Sequence, residues 1–349
     1  MPPLPKLSYV LLSHNREKYV RAAVESALAQ DYEGELEYIF SDDCSTDRTL
    51  EIIKECVAAY KGNRRVVVTQ PPSNLKTAGN FNHAVSLAQG DWIIRADDDD
   101  ISAIDRCSVI GKVVSSIPGC SYVATESSRI FQDEEEDAAV AASLIPCAPG
   151  MKPREIDIRT MPPRQCSFRS AEYSYKAWDR ACFRTFGDIP AAAYLADDYI
   201  LYFRASVLGK GVLVDNANAV LVRNNSLHQS IGSDNRDEGY RDIMRRERFF
   251  DEYQNSTAPP MRQTYEALLD FARRMPQDEQ PGVLAFLADM QEKILITETL
   301  RSYWRKGTIN RIRIARKLGL TRPYDMLRCL PMPVFATALA LFRKFKYND

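Results

Sequence analysis

Four short apolar runs, separated by segments of helical spacing, fill the first hundred residues, and this alternation constrains the fold more than any other feature of the chain. Leu7–Ser13, Leu36–Phe40, Val66–Thr69 and Trp92–Ala96 read as strands; Tyr19–Ala29, Thr49–Tyr60 and Asn80–Ala88 place apolar residues at i, i+3 and i+4 and read as helices. Ser45 and Asp47 suit the start of the second helix, and Gly90 closes the third. A βαβα series of this kind predicts an α/β fold with a mainly parallel sheet and helices on both faces. Ligands of such sheets bind at the carboxyl ends of the strands. Three polar clusters stand at such ends: Ser13–Arg16, Asp42–Asp47 and Asp97–Asp100.

The four consecutive aspartates repel one another unless something offsets their charge. They follow the apolar Trp92-Ile93-Ile94, which fixes them at the sheet edge. A hard divalent cation would relieve the repulsion there and keep phosphate oxygens in its shell; a solvated acidic face is the alternative. The second cluster holds three acids, a Ser and a Thr in six positions. A helix cap needs one such residue, which leaves a carboxylate to accept a hydrogen bond from a base N–H or a ribose hydroxyl; capping alone is the alternative.

These residues resemble the family 2 glycosyltransferases. Leu11-Leu12-Ser13-His14-Asn15-Arg16 with Tyr19 is similar to the family's opening strand and T-Y-N-R, and Tyr38 to Asp47 to its V-D-D-G-S-T-D signature. Asn82-His83-Ala84 through Gly90-Asp91-Trp92-Ile93 resembles N-x-G…A-x-G-[DE]-Y-I, and Ala96–Ile101 resembles L-D-x-D-D-I. Trp178–Gly187 and Asp197-Asp198-Tyr199 to Arg204-Ala205 resemble the later W-x-R…F-G and E-D-…-R-A segments. The likeness runs in order over roughly residues 7 to 235.

The resemblance implies a GT-A fold, Rossmann-like, and transfer of a sugar from a nucleotide diphosphate donor, UDP favoured, with Mn²⁺ or Mg²⁺. It would set Asp43 against the base with His14 beside it, and Ser13, Asn15, Asn82, Trp178 and Asp197 around the nucleotide sugar. Asp97 and Asp98 would serve the ribose and the metal shell, Asp99 would ligate the metal, and Asp198 would deprotonate the acceptor hydroxyl of an inverting reaction. The family's R-x-H segment is altered, since His228 follows Arg223 by five residues. His228 or Asn225 would complete the metal and diphosphate site, with an ordinary loop histidine as the alternative. Cys44 stands where the family commonly has Gly, and His83 reads as structural.

Two other classes are weighed. A nucleotidyltransferase also uses paired aspartates, but it needs a Gly-rich phosphate loop after the first strand, and Ser13–Arg16 holds no glycine. A nucleotide-sugar or glycan-binding module without catalysis would not need Asp99 and Asp198 intact.

The rest of the chain bears on partners. Among 349 residues, 46 basic and 47 acidic side chains leave a net charge of −1, and no global field points to nucleic acid. The charge is uneven, however: residues 301–349 carry twelve Lys/Arg against two Asp. Arg311, Arg313, Arg316 and Lys317, then Arg343, Lys344 and Lys346, flank the apolar Val334–Phe342, a pattern that fits docking on an anionic membrane surface where a lipid-linked acceptor would lie; a solvated basic face or a dimer contact is the alternative. The eight cysteines form no CxxC pair, so neither a zinc site nor a disulfide framework is expected. Met1–Lys6 has no apolar signal region, and the 13 uncharged residues Leu330–Phe342 fall short of the roughly 20 a spanning helix needs. A cytoplasmic location is expected. The domain reading is 1–235 for catalysis and 236–349 for a helical region with helices at 240–253, 265–274, 283–303 and 334–345. Ser127–Ser170 reads as loops and short strands.

Overall fold

A computed structural model describes residues 3–125, 129–131, 135–144, 152–160, 175–193, 197–215, 219–223, 240–300, 305–317 and 330–338. The chain divides into two units, one of residues 1–225 with Glu266–Leu287, the other of Ser226–Tyr265 with 288–349.

The first unit begins with the expected series: β1 (Leu7–Ser13), α1 (Val20–Leu28), β2 (Leu36–Asp42), α2 (Thr49–Ala59), β3 (Val66–Thr69), α3 (Lys76–Leu87) and β4 (Trp92–Asp97). Every residue of β1 and β2 is buried, as central strands of a sheet covered on both faces must be. That burial includes Ser8 and Glu37, which satisfy each other through a 2.5 Å hydrogen bond from the Ser8 hydroxyl. The Gln89 and Gly90 amides also donate to Glu37, at 2.5 and 3.0 Å, and Arg65 pairs with its second oxygen. Gly90 has to be glycine, because a Cβ there would lie 2.5 Å from the Ser8 hydroxyl and 2.6 Å from its backbone nitrogen.

Beyond β4 come β5 (Ile101–Ser102), α4 (Arg106–Ser116), β6 (Cys120–Thr125), β7 (Arg129–Phe131), α5 (Glu136–Ser143), β8 (Lys152–Ile156), β9 (Tyr175–Asp179), α6 (Ala181–Phe186), α7 (Asp197–Leu208), β10 (Lys210–Asp215) and β11 (Val220–Arg223). The main sheet has the order β3-β2-β1-β4-β9-β6-β10-β8, and a second, three-stranded sheet has the order β5-β11-β7. Among the described residues of the main sheet, only β8 and β9 run antiparallel to their neighbours. Within Ser127–Ser170 a helix, α5, stands where loops and short strands are expected. Its run Ala138–Ala142 favours a helix, and Glu136 and Asp137 of the acidic run lie in its first turn, where the helix dipole favours negative charge.

Helices α8 (Tyr240–Arg273) and α9 (Gln280–Leu300) take part in both units. Residues Glu266–Leu287 group with the first unit rather than with a C-terminal region starting at 236. Arg159 explains part of this: it donates to Glu279 at 2.8 Å and to the Val207 carbonyl at the end of α7 at 3.1 Å. Phe271 packs on Phe186, and Phe286 on Phe203, with ring centroids 5.4 and 5.6 Å apart. Helix α8 runs unbroken through Pro259-Pro260, where two separate helices are expected.

In the second unit Arg262 grips Glu298 through two hydrogen bonds of 2.7 Å. Helix α10 (Thr308–Lys317) follows, and residues 332–338 are helical. Arg311 departs from its expected place on a basic surface: it is 4% exposed and bonds the Lys306 carbonyl and the Thr308 hydroxyl at the start of its own helix. Arg343, Lys344 and Lys346 lie outside the described residues. No helix among the described residues is long and apolar enough to cross a membrane.

Candidate active site

The ends of β1, β2 and β4 are adjacent in the sheet, and their loops are knit together by hydrogen bonds. The Asn15 amide donates to the Ser45 hydroxyl at 2.8 Å, the Asn15 side-chain oxygen accepts the Thr46 amide at 2.8 Å, and the Arg16 amide donates to Thr49 at 2.7 Å. His14 bridges the clusters. Its backbone amide donates to Asp98 at 2.9 Å, while its ring Nδ1–H donates to the Asp43 carbonyl at 2.8 Å. Asp43 accepts the Leu75 amide at 2.7 Å, which ties the start of α3 to the same edge. Ser13 is buried at the last position of β1.

Among the described residues three non-glycine residues have left-handed backbone, and all three belong to these connections: Asn15 (φ 53°), Cys44 (φ 57°) and Lys76 (φ 63°). Such conformations collect at functional sites. Cys44 holds one that glycine adopts without steric cost, with its thiol donating to the Pro71 carbonyl at 3.0 Å. His83 bonds Thr69 at 2.8 Å, in keeping with a structural role.

The aspartate run follows directly from β4. Asp98, Asp99 and Asp100 are buried, whereas the Asp97 side chain is 41% exposed. Burial, and then the charge of Asp99, push the Asp98 carboxyl up to about 7. Arg16 stands 3.6 Å from Asp98 and 3.8 Å from Asp99. On the other side Arg223 donates its amide to Asp100 at 2.9 Å and its Nε to the Asp99 carbonyl at 3.0 Å, with its guanidinium between the Tyr19 and Phe131 rings.

Asp197 and Asp198 open α7 and meet the same edge through Arg95 of β4. Arg95 donates to Asp197 at 2.5 Å and to Asp198 at 3.2 Å, and lies 3.6 Å from Asp97. Lys176 of β9 lies 3.7 Å from the other Asp198 oxygen. The paired acids diverge in consequence. Burial pushes Asp197 up to about 6 even with Arg95 beside it. Burial also raises Asp198, but Lys176 and then Arg95 outweigh it and hold Asp198 below the usual carboxylate value.

Two expected ligand contacts have other uses. Trp178 is fully buried in β9 and packs on Tyr122 with ring centroids 5.8 Å apart, so it is a core residue. Asn82 uses both ends of its amide on Ile189, donating to the carbonyl at 2.7 Å and accepting from the amide at 2.9 Å. His228 and Asn225 lie outside the described residues. Arg95, Lys176, Arg16 and Arg223 meet the acids although the sequence reading places none of them in the site. Arg95 had a signal, as the one charged residue inside an apolar strand two positions before the acids; Lys176 had none, because nothing local marks β9 as a neighbour of β4.

The parallel sheet, its antiparallel insertion and the acid-lined edge are those of a GT-A fold. The solved structures of Staphylococcus aureus TarS 1–349 with UDP and with UDP-GlcNAc share it, with TM-scores of 0.50 and 0.51; each covers 99% of this chain, and 92% and 93% of theirs, at 14% and 16% identity. Residues 8–120 match the Glycosyl transferase family 2 model, and the chain carries the family's sequence over that segment. EpsE of Bacillus subtilis is 40% identical over 98 residues, 28% of this chain and 34% of EpsE. An uncharacterized glycosyltransferase of Haemophilus influenzae is 35% identical over 103 residues, 30% of this chain and 40% of that protein. The poly(ribitol-phosphate) β-N-acetylglucosaminyltransferase TarS is 33% identical over 97 residues, 27% of this chain and 16% of TarS. The aligned segments thus span well under half of each relative.

Proposed function

We propose that the chain is a metal-dependent, inverting glycosyltransferase that moves a sugar from a UDP-sugar to a hydroxyl of a glycan or lipid-linked glycan. The observation that carries this reading is the tie between Arg95 at the end of β4 and Asp197–Asp198 of α7. It sets an ionised carboxylate beside the strand ends where a nucleotide diphosphate would lie. The UDP and UDP-GlcNAc held by the TarS structures of similar fold support a uridine donor.

In this reading the loops after β1 and β2 hold the nucleotide, with His14 and Asp43 at the base and Asp97 and Asp98 toward the ribose and the metal. Asp198 accepts the proton of the acceptor hydroxyl as its oxygen attacks the anomeric carbon opposite the leaving diphosphate. Low basicity and partial exposure keep Asp198 ionised and within reach of an acceptor. The crowding of Asp98 and Asp99 suits a divalent cation at Asp99. Among the described residues no three Asp, Glu, His or Cys side chains form a ready-made cage, and Mg²⁺ and Mn²⁺ commonly take one or two carboxylates and draw the rest of their shell from phosphate. Bound there, the cation would neutralise charge on the leaving diphosphate.

For the acceptor side we propose docking of α10 on an anionic, cytoplasmic membrane face. Ile309, Arg313 and Arg316 share one helical face and are all exposed, Ile309 by 69%.

Calorimetric titration with UDP, TDP and GDP, with Mn²⁺ and again with EDTA, tests the donor site. UDP binding that disappears with EDTA and in Asp99→Ala is the expected result. Absence of binding by all three nucleotides overturns the reading.

A further inference from the structure

Strand β9 enters the sheet antiparallel between β4 and β6, and two cations stand just past the end of its pairing with β4. Ile94 pairs with Ala177. Arg95 and Lys176 are the next residues of the two strands beyond that last pair, and continuation of the register would project both to the same face, where like charges repel. Lys176 is also 2% exposed, and a desolvated ammonium is costly unless a counter-charge meets it. Asp198 meets both cations, with one oxygen 3.2 Å from Arg95 and the other 3.7 Å from Lys176. Asp197 occupies Arg95 from the same helix turn, and Asp97 lies beyond Arg95 on β4. Among the described residues, the charged groups recorded at Asp198 are Arg95 from β4, Lys176 from β9 and Asp197 from its own helix, with Asp97 behind Arg95.

We propose that Lys176 is a positioning residue for Asp198: with Arg95 at the first carboxylate oxygen, it fixes the second, so that the base is held ionised in one orientation toward the acceptor hydroxyl. Arg95 alone would leave that oxygen free to turn. The inference rests on the reading of Asp198 as the base, and it gives the antiparallel insertion a function besides completing the sheet.

The test uses the full chain labelled with ¹³Cγ-aspartate, the Asp198 resonance being assigned by its loss in Asp198→Asn. In Lys176→Met the Asp198 titration midpoint rises by about one pH unit or more, and Lys176→Arg reverses most of that shift. In parallel, kcat for UDP release from UDP-GlcNAc, with water as acceptor, falls by about tenfold or more in Lys176→Met while KM is unchanged. An unmoved midpoint, or a loss confined to KM, overturns the proposal; should Lys176→Met fail to fold, Lys176→Gln is judged by the same criteria. Calorimetry with UDP on the wild-type chain is independent of Lys176, so failure of the donor-site reading appears there and failure of the positioning role appears in the titration.

Discussion

Arg95 and Asp197, 102 positions apart in sequence, are joined by a hydrogen bond of 2.5 Å that locks the start of α7 onto the end of β4. The Arg95 side chain is 15% exposed and the Asp197 side chain 8%, so neither charge has much water to fall back on. Removing one member of such a pair strands the other, at a typical cost of about 3–5 kcal/mol. Arg95→Met is expected to lower unfolding stability by that order in denaturant titration and to abolish transfer with it. A change under about 1 kcal/mol would show that water satisfies the pair instead.

Asp198→Asn keeps the shape of the side chain and removes its basicity. Transfer should fall by about 10²–10⁴-fold with UDP affinity retained, as measured by sugar transfer and calorimetry on the same sample. Full activity in this variant would take the base role away from Asp198.

Glu37 supplies a pH dependence of stability. Burial raises it, but hydrogen bonds from Ser8, Gln89, Arg65 and Gly90 outweigh burial and hold it below the ordinary value of 4.5. A carboxyl depressed in the folded state adds stability above its unfolded pKa and loses it as pH falls through the folded one. Glu37→Gln should therefore cost about 1–3 kcal/mol at pH 7, with the difference from wild type shrinking below pH 4.5. Urea titrations at neutral and acid pH decide it, since a pH-independent gap would contradict the sign.

For α10, reversing Arg313 and Arg316 together to Glu should weaken sedimentation with phosphatidylglycerol vesicles by about tenfold or more, as should raised salt. Equal binding by both proteins would remove α10 from any membrane contact.

The sequence made the first four strands and their polar ends legible because each strand is a contiguous apolar run and each loop belongs to a local signature. The acidic pair Asp197–Asp198 was legible for the same reason. What surrounds it was not. Lys176 reaches Asp198 only because β9 pairs with β4, a pairing set by contacts some eighty residues apart in sequence and by no local pattern. Arg311 shows the reverse failure: a basic residue in a basic segment reads as surface, yet its helix start needs its guanidinium. Trp178 stands in a segment that resembles a family motif and is nonetheless core, because β9 fills the sheet between β4 and β6.

The insertion of β9 also sets an order of events during synthesis. Strands β1 to β4 are complete once residue 97 is made, but the far edge of β4 finds its partner only when Tyr175–Asp179 emerge. Until then a nascent chain presents an edge of unpaired backbone N–H and C=O groups, the kind of template on which other chains add. The same edge would be bared in a fragment trimmed to residues 8–120. The partner of β4 thus lies well beyond the segment that matches the family model.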